Sequence, residues 1–171
     1  MVHVSRSTPG LSKQDQYQEI RTALRALLEG ERDGLAHCAN TAALLYERLA
    51  DLNWVGFYFA RSNTDLVLGP FQGKVACVRI PWGRGVCGTA AERRTTLVVP
   101  DVHEFPGHIA CDAASRSEIV VPLLSAGRVL GVLDLDSPRP ARFDEVDAQG
   151  LSAIAELVLE HSDLGRYVDP L

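Results

Sequence analysis

A chain of 171 residues, 46% hydrophobic and 23% charged, has the size and balance of one globular domain that buries its own core, which excludes a disordered or fibrous chain. A formal charge of -5 argues against a nucleic-acid surface, and no apolar run reaches the roughly 18 residues that a membrane span needs. Met1 to Gly10 lacks the apolar run of a secretory signal, so the expected compartment is the cytosol. There, four cysteines read as reactive, metal-binding or buried thiols rather than as a permanent disulfide framework.

After a frayed start over 1–11, Ser12 with Asp15 resembles a capping box. Tyr17, Ile20, Leu24, Leu27 and Leu28 recur at helical spacing up to Gly30. A second helix is expected from about Asp33, with Leu35, Cys38, Ala42, Leu45 and Leu49 on one stripe, which makes Cys38 a core residue. Trp54 to Ala60 is aromatic and β-branched, a strand by propensity, and Leu66 to Leu68 returns as a second that Gly69-Pro70 should break. Cys77 to Ile80 reads as a third strand, Val86 to about Arg93 as a short helix, and Thr96 to Val99 as a strand stopped by Pro100. The stretch from Asp101 to Ser115 carries no period, and so long a loop inside a domain is usually functional. Glu118 to Leu124 and Arg128 to Asp136 then flank Ser125-Ala-Gly127, read as a three-residue hairpin loop. Asp144 with Asp147 opens the last helix, with Val146, Leu151, Ile154 and Val158 facing in, and 164–171 is expected to be a tail.

This order predicts an α+β fold in a single domain over 1–171: about six strands in a mostly antiparallel sheet, helices gathered on one face, and the other face free for a pocket roofed by loops. With a three-residue hairpin loop, Glu118 falls opposite Asp134, and Asp136, two residues on, shares their face. Like charges so placed cost stability. A site that binds a cationic group, or keeps one acid protonated, accounts for the cluster better than a solvated face does. A two-residue loop would instead send the acids to opposite faces.

Cys77, Cys87 and Cys111 each sit beside glycines or other small residues, where a ligand can approach the backbone closely. They admit three readings: independent core thiols, a metal site with His103 or His108, or a redox set. Their spacing lacks the close pairs of zinc sites, so no metal is expected. Cys111, in the irregular loop with His108 near and Asp112 adjacent, is the one best placed for exposure and a lowered thiol pKa. A thiolate that becomes sulfenic acid can be rescued by a second thiol through a disulfide.

Five segments in order, Gly69-Pro-Phe-Gln-Gly-Lys-Val-Ala-Cys-Val-Arg-Ile-Pro, Gly83-Arg-Gly-Val-Cys-Gly-Thr-Ala, Asp101-Val-His, Gly107-His-Ile-Ala-Cys-Asp-Ala-Ala-Ser-x-Ser-Glu-Ile-Val and Gly131-Val-Leu-Asp-Leu-Asp-Ser, closely resemble the free methionine-(R)-sulfoxide reductases, which are stand-alone GAF domains. The resemblance covers roughly Asn40 to Gly150. It implies a GAF-like fold and a cytosolic enzyme that reduces the R epimer of free methionine sulfoxide with electrons from thioredoxin and no cofactor. It further implies Cys111 as nucleophile, Cys77 as the thiol that closes a disulfide on its sulfenic acid, and Cys87 as the third family thiol. Glu118, Asp134 and Asp136 match acids that the family uses on the substrate. Physically they suit the ammonium group and protonation of the departing oxygen. Trp54 and Tyr58 match positions expected to enclose the methyl-sulfur end. Family members are often dimers through terminal helices, so a homodimer is expected. The competing readings are a non-catalytic GAF sensor for an oxidised amino acid or similar molecule, and a zinc-binding adaptor.

Overall fold

Capping and apolar spacing set the two opening helices. The computed structural model describes residues 10–61, 64–107 and 112–168. In α1 (Lys13–Leu28) the Ser12 side chain accepts from the Asp15 N–H, and Tyr17, Ile20, Leu24 and Leu28 are buried. Asp33 likewise caps α2 (Gly34–Arg48), which buries Cys38, Ala42 and Leu45 together with His37 and Thr41. Leu35, expected on that stripe, lies in the first turn and is 46% exposed.

Six strands follow: β1 (Trp54–Ala60), β2 (Asp65–Gly73), β3 (Arg79–Pro81), β4 (Leu97–Val99), β5 (Ser117–Ser125) and β6 (Arg128–Ser137). They form one antiparallel sheet in the order β3-β2-β1-β6-β5-β4. Between β3 and β4 runs α3 (Gly85–Arg93), and α4 (Glu145–His161) follows β6 before a 3-10 turn at Leu164–Tyr167. No helix among the described residues is long and apolar enough to cross a membrane.

Two expectations about β2 and β3 need correction. Gly69-Pro70 does not end β2, because the register slips between Gly56 and Tyr58, so that Gly69 and Pro70 together face the single residue Phe57. A bulge takes up one residue without ending the strand, and it tolerates a proline that cannot donate to the ladder. β3 begins only at Arg79, which leaves Cys77 in the loop before it.

The β5–β6 hairpin also differs, twice. Its loop has two residues, Ala126 and Gly127, with Ser125 paired to Arg128, and both loop residues have positive φ (49° and 77°), as a type I′ turn requires. A second irregularity then follows, since Leu123 pairs with Gly131 but Leu124 with Val129, leaving Leu130 as an extra residue. The short loop alone would have put Glu118 and the two aspartates on opposite faces. The bulge shifts the register by one more, so Glu118 lies opposite Asp136, and Val120 opposite Asp134. The predicted partner is wrong by two residues, and the shared face survives.

One sheet face presents Val55, Phe57, Phe59, Ile119, Val121, Leu123, Leu133 and Leu135 to α1, α2 and α4. Asp147 ties the helices on this side. It completes the capping box of α4 with Asp144, and accepts from Tyr17 Oη (2.9 Å), Lys13 Nζ (2.6 Å) and Arg142 Nη1 (3.2 Å). Within the expected tail, Leu164 is buried in this core and the Tyr167 ring stacks on Phe59 at 5.8 Å. α3 is the exception among the helices. It packs on the opposite face through Val86, Cys87, Ala90 and Ala91, against Trp54, Tyr58, Val120 and Val132.

Candidate active site

The face that α3 covers only in part holds a cavity that opens to solvent on one side. Its floor comes from alternate positions of three adjacent strands: Trp54 and Tyr58 on β1, Asp134 and Asp136 on β6, Glu118 on β5. Period-two alternation puts them together. Gly85, Val86 and Cys87 at the start of α3 form one wall, Val75 and Ala76 a second, Asp112 and Ser115 a third.

Glu118 and Asp134 are each about 6% exposed. Burial is the main reason why the carboxyl of Glu118 is pushed well above its ordinary range, with the neighbouring Asp134 and Asp136 charges adding to it. Asp136 is raised for the same reasons, first burial and then Asp134, against a hydrogen bond from Ser115 that lowers it. Burial lifts Asp134 to about 7, opposed by hydrogen bonds from Cys87 and Glu118. Among the described residues, Oδ1 of Asp134 accepts no hydrogen bond. The Cys87 thiol donates toward Glu118 Oε1 over 3.8 Å, a long sulfur contact. Burial first, and Asp134 and Glu118 next, push that thiol up, so Cys87 is a neutral S–H at physiological pH.

Cys87, Glu118 and Asp134 offer one donor atom each, all within 4.8 Å of one another, which is the one group among the described residues close enough to converge on a small cation. Separations of 31 and 16 positions hide this group in the sequence; the sheet and α3 bring it together.

The aromatic side is stacked. Trp54 lies 5.8 Å from the Tyr58 ring and 5.4 Å from that of Phe71. Both polar tips hold the loop that carries Cys77: the Trp54 indole N–H donates to the Lys74 carbonyl (3.2 Å) and Tyr58 Oη to the Cys77 carbonyl (3.1 Å). Cys77 is disulfide-bonded, whereas Cys38 and Cys87 are free thiols. Cys111 and His108 lie outside the described residues. The described chain resumes at Asp112, whose carboxylate is held by Asn53 Nδ2 (3.1 Å), Lys74 Nζ (3.2 Å) and the Ala114 N–H (2.9 Å). Those bonds keep the Asp112 carboxyl below its usual range.

Sequence reasoning passes over Asn53, Lys74, Ser115 and the N-terminus of α3. Asn53 also donates to Ser115 Oγ (2.9 Å) and so braces the wall beside Asp136. The start of α3 has no side-chain cap, as Arg84 makes no capping bond. Its first-turn N–H groups therefore remain as donors beside the cavity, at the positive end of a helix. The run Gly83-Arg-Gly85 is the available signal, because a glycine loop opening directly into a helix is where such donors lie uncovered.

Residues 14–159 match the GAF domain family. The chain is 52% identical over 160 residues to the free methionine-R-sulfoxide reductase of Escherichia coli K12, covering 92% of this chain and 96% of that protein. It is 43% identical over 163 residues to the enzyme of the same name from Saccharomyces cerevisiae, covering 91% and 90%. Its backbone superimposes on the crystal structure of free methionine-R-sulfoxide reductase from Neisseria meningitidis in complex with its substrate with a TM-score of 0.88 and 45% identity, over 95% of this chain and 98% of that one.

Proposed function

The chain belongs to the GAF domain family and, within it, to the free methionine-R-sulfoxide reductases, and from that premise we propose how its own residues perform the reaction. The observation that carries the assignment of roles is the cavity itself. Three buried acids, a stacked Trp54–Tyr58 pair and the start of α3 surround one space, with disulfide-bonded Cys77 on the loop that the two aromatic residues hold.

A free amino acid matches these features end by end. Its ammonium group pairs with Asp134 and Asp136 and favours their ionised forms on binding, and Oδ1 of Asp134 is an acceptor still to be used. Its carboxylate suits the uncapped N–H groups at Gly85 and Val86. The methyl-sulfur end packs against Trp54 and Tyr58. A peptide-bound methionine sulfoxide lacks the ammonium charge and would leave a buried carboxylate unmatched, which is how the site rejects it.

The thiolate of Cys111 attacks the sulfoxide sulfur while Glu118, kept protonated by its surroundings, donates to the oxygen. The oxygen passes to Cys111 as sulfenic acid and methionine leaves. Cys77 attacks that sulfenic sulfur, expelling water and closing a disulfide. Thioredoxin restores the two thiols, with the cytosol as the setting. Cys87, neutral and pointed at Glu118, is proposed as a spare thiol that also steadies the acid.

The deciding experiment gives purified protein dithiothreitol and the separated sulfoxide epimers. Consumption of the R epimer alone, with release of methionine, is the expected result. Tight binding without consumption would replace this reading with a sensor.

A further inference from the structure

Each cycle leaves Cys77 in a disulfide, and a donor outside the chain must deliver two electrons to it. Cys77 is half-buried, and the backbone around it is held, since Tyr58 Oη donates to its carbonyl (3.1 Å) and the Leu68 N–H donates to the Val78 carbonyl (3.0 Å). On this tethered loop Val75 is 87% exposed and Val78 is 65% exposed. They are the two most exposed large hydrophobic residues described, the next being Leu35 at 46%. Both lie within two positions of Cys77. A pair of valines kept in water beside a redox sulfur marks a contact surface rather than a packing residue out of place.

The cavity does not account for them. Val75 reaches its mouth, but Val78 is not among the residues that line it. Two further features extend the patch. β3, which starts at Arg79, is an edge strand, so a partner can add main-chain hydrogen bonds beside the valines. Lys74 and Arg79 stand at its two ends, 70% and 61% exposed and paired with Asp112 (3.2 Å) and Asp65 (3.9 Å), so the patch is apolar at its centre and charged at its rim, the pattern of a protein contact surface.

We infer that Val75 and Val78, bracketed by Lys74 and Arg79, are the docking surface for a thioredoxin-like dithiol protein, which presents its reactive cysteine to Cys77. This rests on the reading of Cys77 as the redox-active thiol given above. In the exchange the carrier's thiolate attacks Cys77 Sγ, forming a mixed disulfide and expelling the sulfur formerly bound to Cys77 as a thiolate. The carrier's second thiol then attacks its own mixed disulfide and frees Cys77. The carrier leaves as a disulfide, two electrons have moved, and the two protons lost by its thiols end on the two released thiolates.

The test follows the disulfide rather than the sulfoxide. Oxidised protein is mixed with either reduced thioredoxin or dithiothreitol, and the newly formed thiols are trapped by alkylation and counted over time. In Val78→Asp the rate constant with thioredoxin falls at least about 10-fold, while the rate with dithiothreitol stays within about twofold. Val78→Leu keeps the thioredoxin rate, which separates loss of apolar contact from loss of fold. Equal slowing with both reductants, an unchanged thioredoxin rate in Val78→Asp, or wild-type protein that dithiothreitol reduces and thioredoxin does not, each overturns the inference. No sulfoxide is present, so wild-type protein that passes this test but consumes no methionine sulfoxide would overturn the proposed function alone.

Discussion

Replacing Asp134 by asparagine removes one buried negative charge while keeping its volume, and it separates what the acid does for the fold from what it does for the substrate. Burial lifts the Asp134 carboxyl from 3.8 to about 7, a shift of about three units at about 1.4 kcal/mol each, so the ceiling is about 4 kcal/mol. The folded protein holds this proton more tightly than the unfolded chain does. The stabilising effect is therefore complete below about pH 4 and is lost as pH rises through about 7. A loss of about 4 kcal/mol at most corresponds to no more than some 8–16 °C in Tm for a domain of this size. The Asp134→Asn side chain has no proton to lose, so the difference in Tm between the variant and wild type grows in the variant's favour by that amount between about pH 4 and about pH 8. Asp134 also helps to raise Glu118 and Asp136, so its removal relaxes both. Thermal melts across that pH range measure the first effect. Turnover at neutral pH measures the second, since losing a charge-assisted bond to the ammonium group lowers kcat/KM by about 10- to 100-fold. A Tm difference that does not vary with pH, or that shrinks as pH rises, would refute the account of the buried acids. Unchanged kcat/KM would remove Asp134 from substrate binding.

Cys111→Ser abolishes even the first stoichiometric release of methionine, whereas Cys77→Ser keeps that single burst and loses recycling; rapid quench of the reduced enzyme checks both, and the opposite pattern exchanges the two roles. Gly88→Ala places a methyl 2.2 Å from the Pro81 carbonyl oxygen, so α3 must move; denaturant melts are expected to show a loss of about 1–3 kcal/mol, with a rise in KM because Cys87 and the helix start move with it. Asp147→Ala strips Tyr17, Lys13 and Arg142 of their shared acceptor and lowers unfolding free energy by about 3 kcal/mol, while the folded fraction keeps its kcat because the change lies on the face away from the cavity.

Most element positions can be read because caps and periodicity act locally. Ser12, Asp33 and Asp144 each bond their own first turn, so nothing distant is needed to place the helix starts. Leu35 departs from its expected burial because periodicity identifies a stripe, but not how far along a helix the partner surface extends. Gly69-Pro70 fails as a strand end because a breaker in one strand can be absorbed by a bulge whose other half, Phe57, lies in another. The site follows the same division. The three acids are legible through strand alternation and through resemblance, Trp54 and Tyr58 through resemblance alone. The bracing by Asn53, which joins Asp112 and Ser115 across some sixty positions, leaves no local trace.

The hairpin shows what a register argument carries. Side-chain direction depends only on whether the sum of paired positions is even or odd, so one extra residue anywhere between turn and site reverses every face. Here a loop one residue shorter than expected and an extra Leu130 on β6 each reverse it, and together they restore it. The two irregularities are therefore coupled through the acids. Deleting Leu130 alone would leave the Ala126-Gly127 turn intact and rotate Asp134 and Asp136 toward the apolar helical core, where a carboxylate is costly to bury. Inserting one residue into the turn of that deletion would return both acids to the cavity. Comparing expression and melting of the deletion with that of the compensated chain tests whether the bulge exists to hold these carboxylates under the substrate: rescue by the inserted turn residue supports it, and equal collapse of both chains shows that Leu130 is needed for its own packing.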